Sequence, residues 1–155
     1  MSKFEFKKYP VFTDGEIDVA VEVEYPAKRN KGINWPPTYY FKIMLHGGIE
    51  RIGCVSLALG YDNFVVKYNG QCGFSIKKEF RGHRYAAKAC VLIKQVAIDY
   101  HMDVIWIAYN PDNIASRLTC AIIGSTLVEV IDVPRDSFLY KEGNHQSCRY
   151  RWILY

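Results

Sequence analysis

The chain has 155 residues, of which 50% are hydrophobic and 23% are charged, and its formal net charge is +4. This length and balance fit a single domain over residues 1–155 with its own core, and the charge is too small to indicate a nucleic-acid partner by itself. The first residues are charged and no uncharged apolar run is long enough to span a bilayer, so we expect neither a secretory signal nor a membrane anchor.

The first half of the chain predicts antiparallel strands. Apolar and charged side chains alternate over Glu16–Tyr25, which predicts a half-buried strand. Three further segments have the composition of strands, and the turn His46-Gly47-Gly48 would join the first two in a hairpin: Tyr39–Leu45, Arg51–Leu59 and Gln71–Lys77. The polar segment Pro26–Pro37 predicts a loop with little helix, and Tyr61–Gly70 has no clear pattern.

The apolar period changes after residue 82. Apolar side chains recur every three or four residues over Tyr85–Tyr100, which predicts an amphipathic helix of about five turns. A buried strand, Asp103–Tyr109, leads to a helix start at Asn110–Asn113, and Gly124 would end that second helix. Its apolar stripe consists of Ile114, Leu118, Ala121 and Ile122. Two closing strands follow, Leu127–Val133 and Arg149–Tyr155. Because the first helix joins two strands, that pair is predicted to be parallel with a right-handed crossover.

The junction between the fourth strand and the first helix predicts an anion-binding site. Free backbone N–H groups point out of a helix start, and the helix dipole adds positive potential there. Arg81, His83 and Arg84 lie in the same turn. A polyanion such as a cofactor pyrophosphate is the expected ligand, and a solvated helix start is the alternative.

Both helix starts carry family motifs. Arg81-Gly82-His83-Arg84-Tyr85-Ala86 matches Arg/Gln-x-x-Gly-x-Gly/Ala at its first and last residues, with Arg84 in place of the internal Gly. Asn113, Ser116 and Gly124 match an Asn-x-x-Ser helix start that a Gly closes. Three more segments are similar to one subgroup of the same family: Pro36–Phe41, Gly70–Ile76 and Arg149–Ile153. On these residues nearly the whole chain resembles the GNAT superfamily of acyl-CoA-dependent N-acyltransferases.

The resemblance implies an α+β fold with a central mixed, mostly antiparallel sheet of about six to seven strands and two main helices. In this family the fourth and fifth strands splay in a V, and the pantetheine arm of acyl-CoA pairs with the fourth strand in the gap. The implied function is acetyl transfer from acetyl-CoA, as co-substrate, to a primary amine by direct attack in a ternary complex. A catalytically weak acyl-CoA-binding domain and a nucleic-acid-binding module are the alternatives, the latter being disfavoured.

The resemblance also implies roles for individual residues. The strand backbone at residues 74–76 would hold the pantetheine arm, and N–H groups of Gly82–Ala87 would bind the pyrophosphate. The complete set of implied cofactor-binding residues is Phe74, Ser75, Ile76, Arg81, Gly82, His83, Arg84, Tyr85, Ala86, Ala87, Asn113 and Ser116. Arg84 is expected to keep an ordinary helical backbone and to add a charge-assisted contact.

Catalysis in the family needs an acid for the departing thiolate and a base for the acceptor ammonium. The acid is often a Tyr about two turns after the Asn, and Cys120 occupies that position here. A thiol, with an ordinary pKa of about 8.5, can donate a proton, but a small buried helix residue is the competing interpretation. Glu79, Glu129 and Asp112 are candidate bases by residue type alone.

Expected partners are acetyl-CoA and an amine acceptor, without nucleic acid or membrane, and a homodimer through edge strands is left open. Trp35, Tyr39 and Tyr40 are candidates for lining the acceptor pocket, and the short segment Pro26–Pro37 suggests an open acceptor groove. Five dispersed cysteines and four dispersed histidines predict reduced thiols in a cytoplasmic protein and no metal site.

Overall fold

The first half of the chain folds into seven strands, as seen in a computed structural model that describes residues 4–155. In chain order they are β1 (Phe12–Thr13), β2 (Ile17–Tyr25), β3 (Lys28–Asn30), β4 (Ile33–Trp35), β5 (Thr38–Leu45), β6 (Arg51–Ala58) and β7 (Cys72–Ile76). β3 and β4 form a small hairpin, and the others form one antiparallel sheet in the order β1-β2-β5-β6-β7.

The second half contains the helices and a smaller sheet. In chain order the elements are α1 (Tyr85–Asp99), β8 (Val104–Tyr109), α2 (Ile114–Ile122), β9 (Thr126–Asp132), α3 (Phe138–Lys141) and β10 (Gln146–Ile153). The three strands pair antiparallel in the order β8-β10-β9. The predicted helices and strands are therefore confirmed in position, although α1 has 15 residues, or about four turns instead of five.

Two segments differ in detail from their predictions. Pro26–Pro37 contains no helix, as predicted, but it forms the β3–β4 hairpin instead of a loop. Tyr61–Gly70, which had no clear pattern, contains one turn of π-helix over Val65–Asn69. A small cluster of Ile33, Ala58 and Val65, with partly buried aromatic rings around it, attaches the hairpin and this turn to the sheet.

The predicted parallel pair of strands flanking α1 does not form, and this prediction was wrong. β7 and β8 belong to different sheets. They are linked just before β7 begins, where the Gln71 N–H donates to the Trp106 carbonyl (2.7 Å) and the Trp106 N–H donates to Gln71 Oε1 (2.8 Å). β7 and β8 share no ladder among residues 4–155, in keeping with the V that the family resemblance implies.

The main core lies between α1 and the larger sheet, on β2, β6 and β7. Buried helix residues such as Ile93 and Val96 pack in the same cluster as the strand residues Phe41 and Val55, and each such side chain contributes about 1.5–3 kcal/mol. Tyr39 belongs to this core and is fully buried, so its assignment to the acceptor pocket was wrong. No helix in residues 4–155 is long and apolar enough to cross a membrane.

Candidate cofactor site

A groove of about 540 Å³ lies at the open end of the V, between the end of β7, the start of α1 and one side of α2. Ten of the twelve predicted cofactor residues line it: Phe74, Ser75, Ile76, Arg81, Gly82, Arg84, Tyr85, Ala86, Asn113 and Ser116. The other two do not. His83 is exposed and stacks on Tyr85, and Ala87 is buried. The fold thus brings together two motifs that are some thirty residues apart in sequence.

The first turn of α1 offers a row of free donors to this groove. Within residues 4–155 the backbone N–H groups from Gly82 to Ala87 contact no acceptor, and the Lys88 N–H is the first that donates, to the Arg84 carbonyl (3.0 Å). Such groups, together with the helix dipole, favour an anion. The geometry that the sequence predicted for an anion site is present.

Arg84 does not have the helical backbone that was predicted. It precedes the first helical residue with φ 63° and ψ 24°, in the left-handed region. Gly82, two residues earlier, also has a positive φ of 89°. Arg84, which stands where the family pattern has Gly, therefore has a backbone conformation that Gly adopts without strain.

The two arginines of the turn are held differently. The Arg81 Nε–H donates to the Ile76 carbonyl (2.9 Å), which ties the turn to the end of β7. Within residues 4–155 the Arg84 side chain makes no hydrogen bond or ion pair and is exposed beside the groove. Arg81 therefore positions the loop, and the Arg84 guanidinium has its donors available to a ligand.

Asn113 acts first as a helix cap. Its Oδ1 accepts a hydrogen bond from the Ser116 N–H (3.1 Å), which satisfies a free donor at the start of α2. The buried side of α2 is formed by Ser116, Thr119 and Cys120. The predicted apolar stripe faces away from the core instead, with Ile114, Leu118 and Ile122 exposed to 54%, 59% and 46%.

The candidate acid Cys120 is fully buried beneath the groove and does not line it. Burial raises the pKa of its thiol to about 12, and the neighbouring Ser125 and Tyr109 side chains oppose that rise only in part. The candidate bases Glu79 and Asp112 are exposed and lie outside the groove lining, and Glu129 is paired with Arg149. These catalytic assignments stay predictions by residue type.

The groove also contains residues that the sequence did not single out for it. They are Phe80, Ala115, Leu118, Thr119, Ala121 and Ile122. The helical period of α2 was visible in the sequence, but period alone does not tell whether an apolar stripe faces the core or a ligand. No group of His, Cys, Asp or Glu side chains among residues 4–155 is arranged to hold a metal ion.

Comparisons with known proteins agree with this geometry. Residues 2–126 match the family described as "Acetyltransferase (GNAT) domain". No curated protein sequence matches the chain. Among solved structures, the chain is similar to a ribosomal-protein-S5-alanine acetyltransferase from Vibrio fischeri, with 16% identity and a TM-score of 0.66, covering 94% of this chain and 97% of that chain.

Two further structures contain the ligands expected here. The microcin C7 self-immunity acetyltransferase MccE, in complex with acetyl-CoA and AMP, has 17% identity and a TM-score of 0.58, covering 75% of this chain and 61% of that chain. Mycobacterium smegmatis RimJ, in complex with CoA-disulfide, has 15% identity and a TM-score of 0.56, covering 74% and 52%. The chain spans less than two thirds of both proteins, and these likenesses show the fold. Because the family match covers more than half of the sequence, the chain belongs to the GNAT acetyltransferase family.

Proposed function

We propose that the chain is an N-acetyltransferase that moves an acetyl group from acetyl-CoA to a primary amine of an acceptor. The observation that carries this proposal is the groove, in which the free N–H groups of Gly82–Ala87 lie beside the unpaired side of β7. The acetyl-CoA and CoA-disulfide complexes of the structurally similar proteins support the choice of donor.

Each part of the donor has a matching surface. The pyrophosphate accepts hydrogen bonds from the first turn of α1, and the Arg84 guanidinium adds a charge-assisted contact. β7 pairs with β6 on one side only, and beyond Gln71 its other side has no partner strand among residues 4–155. The amide groups of the pantetheine arm pair with this free side as an added strand would. Asn113 and Ser116 contact the cofactor from α2.

The reaction in this proposal is a direct displacement. The neutral amine nitrogen attacks the thioester carbonyl carbon, the C–S bond breaks, and the CoA thiolate leaves. A base or an ordered water accepts the proton that the amine loses, and no side chain is assigned to that step. Because Cys120 is buried and does not line the groove, the departing thiolate leaves unassisted or takes its proton from water.

A catalytically weak acyl-CoA-binding domain is the second candidate function. The burial of Cys120 favours it, because the position of the usual acid then offers no accessible proton. The two candidates share the donor site and differ only in turnover. A nucleic-acid-binding function has no corresponding support in the groove, and the acceptor, a homodimer and a cytoplasmic location stay predictions from the sequence.

Two measurements, made one after the other, test the proposal. Acetyl-CoA at about a hundredfold excess over its Kd stabilises the native state by about 2.7 kcal/mol, which for this length raises the melting temperature by about 5–10 °C. Release of free CoA thiol over a panel of amines then separates an enzyme from a binding domain. A chain that shows neither a thermal shift nor thiol release is not an acyl-CoA protein.

A further inference from the structure

A small outer layer of the fold lies on the face of the larger sheet opposite α1. It consists of the β3–β4 hairpin, the π-helical turn and α3, which pack on one another through Trp35, Phe64 and Phe138. Leu57 belongs to the main core, whereas Ala58, the next residue of β6, belongs to the cluster beneath this outer layer. Because consecutive strand residues point to opposite faces, the outer layer and α1 lie on opposite sides of the sheet.

The outer layer reaches the end of the V at which β7 and β8 are linked. The Gly60 carbonyl accepts a hydrogen bond from the Gln71 side-chain amide (2.6 Å), and Gln71 also bonds Trp106 on β8. A Cβ on Gly60 would lie 3.0 Å from the side chain of Pro36, the residue directly after β4. In the proposed function the donor occupies the groove beside α1 and α2, so the side that carries the outer layer is left for the acceptor.

The β3–β4 hairpin carries positive charge without a compensating acid. It contains Lys28, Arg29 and Lys31, all exposed, and no Asp or Glu. Lys67 on the π-helical turn adds a fourth exposed cation, and together these four side chains form a basic cluster. Within residues 4–155 none of the four forms an ion pair, and Arg29 is the one that donates a side-chain hydrogen bond, to Asn34 (3.2 Å).

The acids of the outer layer do not cancel this charge. The Asp62 carboxylate accepts hydrogen bonds from three backbone N–H groups, at 2.9–3.2 Å. Around α3, Asp136 and Glu142 are matched in number by Arg135 and Lys141, and all four are exposed. The outer layer with its flanking residues thus has six cations against three acids, in a chain whose net charge is +4.

A basic cluster at this place discriminates among amines. A primary amine is mostly protonated at neutral pH, so an isolated amine or a polyamine is repelled by it. An amine that belongs to an acidic polypeptide brings carboxylates with it, and their attraction to the cluster exceeds the repulsion of one ammonium. Nucleic acid is a poorer match, because its bases offer no basic amine. The rings of Trp35, Phe64 and Phe138 also pack on one another and do not stand free for bases to stack on.

We infer that the acceptor is an acidic polypeptide, an inference that rests on the proposed function and names its substrate class. Carboxylates of the acceptor contact the basic cluster, and the amine of the same chain reaches the thioester from the side opposite α1. The chemical step is the displacement described above, so the basic cluster contributes to acceptor binding and does not touch the reacting atoms.

Two fluorescent peptides with a free N-terminal amine test the binding preference. One is rich in Asp and Glu, and the other has Lys and Arg at the same positions. At about 0.15 M salt, wild type binds the acidic peptide about tenfold or more tightly in anisotropy titrations. Lowering the salt to about 0.01 M lengthens the screening distance from about 8 Å to about 30 Å and increases the preference.

Charge reversal locates the preference on the molecule. Lys28→Glu/Lys31→Glu lowers the ratio at about 0.15 M salt to about threefold or less. Lys7→Glu/Lys94→Glu is the matched control, because it changes the net charge equally on the other side of the sheet. Lys94 is on α1, and Lys7 Nζ lies 5.5 Å from the ring centroid of Tyr100 at the end of α1. The control keeps the ratio within about twofold of wild type, and equal losses in the two variants overturn the inference.

Thiol release with the same peptides connects the surface to the reaction. Lys28→Glu/Lys31→Glu raises KM for the acidic peptide about tenfold and changes kcat little, because the lost contacts are with the acceptor chain. Both double variants keep the thermal shift with acetyl-CoA, which shows that they are folded and bind the donor. The single variant Lys67→Glu, on a different element, raises KM by a smaller factor of about three.

The failure of this inference is distinguishable from the failure of the proposed function. A wild type that binds acetyl-CoA but releases thiol no faster with the acidic than with the basic peptide overturns the inference and leaves the donor site intact. Tighter binding of an oligonucleotide of the same charge than of the acidic peptide also overturns it. Absence of a thermal shift with acetyl-CoA overturns the proposed function, and the acceptor assignment falls with it.

Discussion

The backbone of Arg84 occupies the left-handed region, which costs a residue with a Cβ about 1–2 kcal/mol. Its positive charge also lies at the positive end of the α1 dipole, which is unfavourable by about 0.3–1 kcal/mol at an exposed site. No ion pair or hydrogen bond among residues 4–155 offsets these costs. The sequence revealed the departure from Gly, but it could not show that Arg84 adopts a left-handed backbone.

Arg84→Gly is expected to separate stability from binding. Glycine adopts the left-handed backbone without strain, so the free protein gains about 1 kcal/mol, or about 2–4 °C in melting temperature. The same change removes a charged contact with the pyrophosphate and weakens CoA binding about tenfold. Thermal unfolding with and without CoA measures both effects. A variant that binds CoA more tightly than wild type would show that Arg84 obstructs the site.

Cys120→Ala is expected to leave turnover unchanged from pH 6 to 9, because the wild-type thiol is buried and its raised pKa keeps it protonated throughout. Truncation of this core side chain costs about 1 kcal/mol of stability. Parallel pH–rate profiles of the two proteins are the measurement. An alkaline limb that is lost in the variant would assign the thiol to the mechanism after all.

The same thiol predicts an alkaline loss of stability. Its folded pKa of about 12 lies above the ordinary value of about 8.5, so the unfolded chain releases this proton at a lower pH than the folded protein does. Stability is therefore unaffected below about pH 8.5 and falls as pH rises towards 12. Cys120→Ala should show a shallower fall than wild type in urea unfolding over this range.

Among the elements, α2 shows most clearly where sequence patterns reach their limit. Its apolar stripe was predicted from spacing, and its start was predicted from Asn113, whose cap is confirmed. The direction of the stripe was not predictable, because the opposite side of the helix, with Ser116, Thr119 and Cys120, is small enough to pack closely against the core. Small polar residues on the buried side and aliphatic ones on the exposed side are the pattern expected of a helix that faces a ligand, as the proposed function requires.

Leu118→Gln tests that orientation. Leu118 is 59% exposed and lines the groove, so the change is expected to alter stability by less than about 0.5 kcal/mol and to weaken CoA binding about three- to tenfold. Ile114→Gln is the matched control, since Ile114 belongs to the same stripe and is similarly exposed but lies outside the groove lining. Equal effects of the two variants on CoA affinity would argue against the groove as the binding surface.

On the scale of the whole molecule, the two sheets share one hydrophobic core, and backbone hydrogen bonding joins β8 to the residue just before β7. The strands and the order of the elements could be predicted from the alternation of apolar and charged residues and from the helical spacing of apolar residues. The parallel pairing predicted for β7 and β8 was wrong. The contacts with β8 are made instead by Gly70 and Gln71, just before β7. Gly70 passes so close to β8 that a Cβ would lie 2.7 Å from the Ala108 nitrogen, and Gln71 then bonds Trp106 through both backbone and side chain. Neither contact is visible in a sequence pattern, because both join residues more than thirty positions apart.

Gly70→Ala is therefore expected to act on the junction as a whole. The new methyl group combines an unfavourable positive φ of 82° with a collision against the β8 backbone, so we expect a loss of about 2–4 kcal/mol in urea unfolding. Gly124→Ala is the matched control for backbone strain, because Gly124 has a similar φ of 83° but no atom within 4 Å of the added Cβ. This variant should lose only about 1 kcal/mol of stability.

Since the collision pushes β7 away from β8 at the closed end of the V, Gly70→Ala should also weaken acetyl-CoA binding, whereas Gly124→Ala should not. If the two variants lose equal stability, the close approach of the sheets contributes nothing beyond the strain of a single residue.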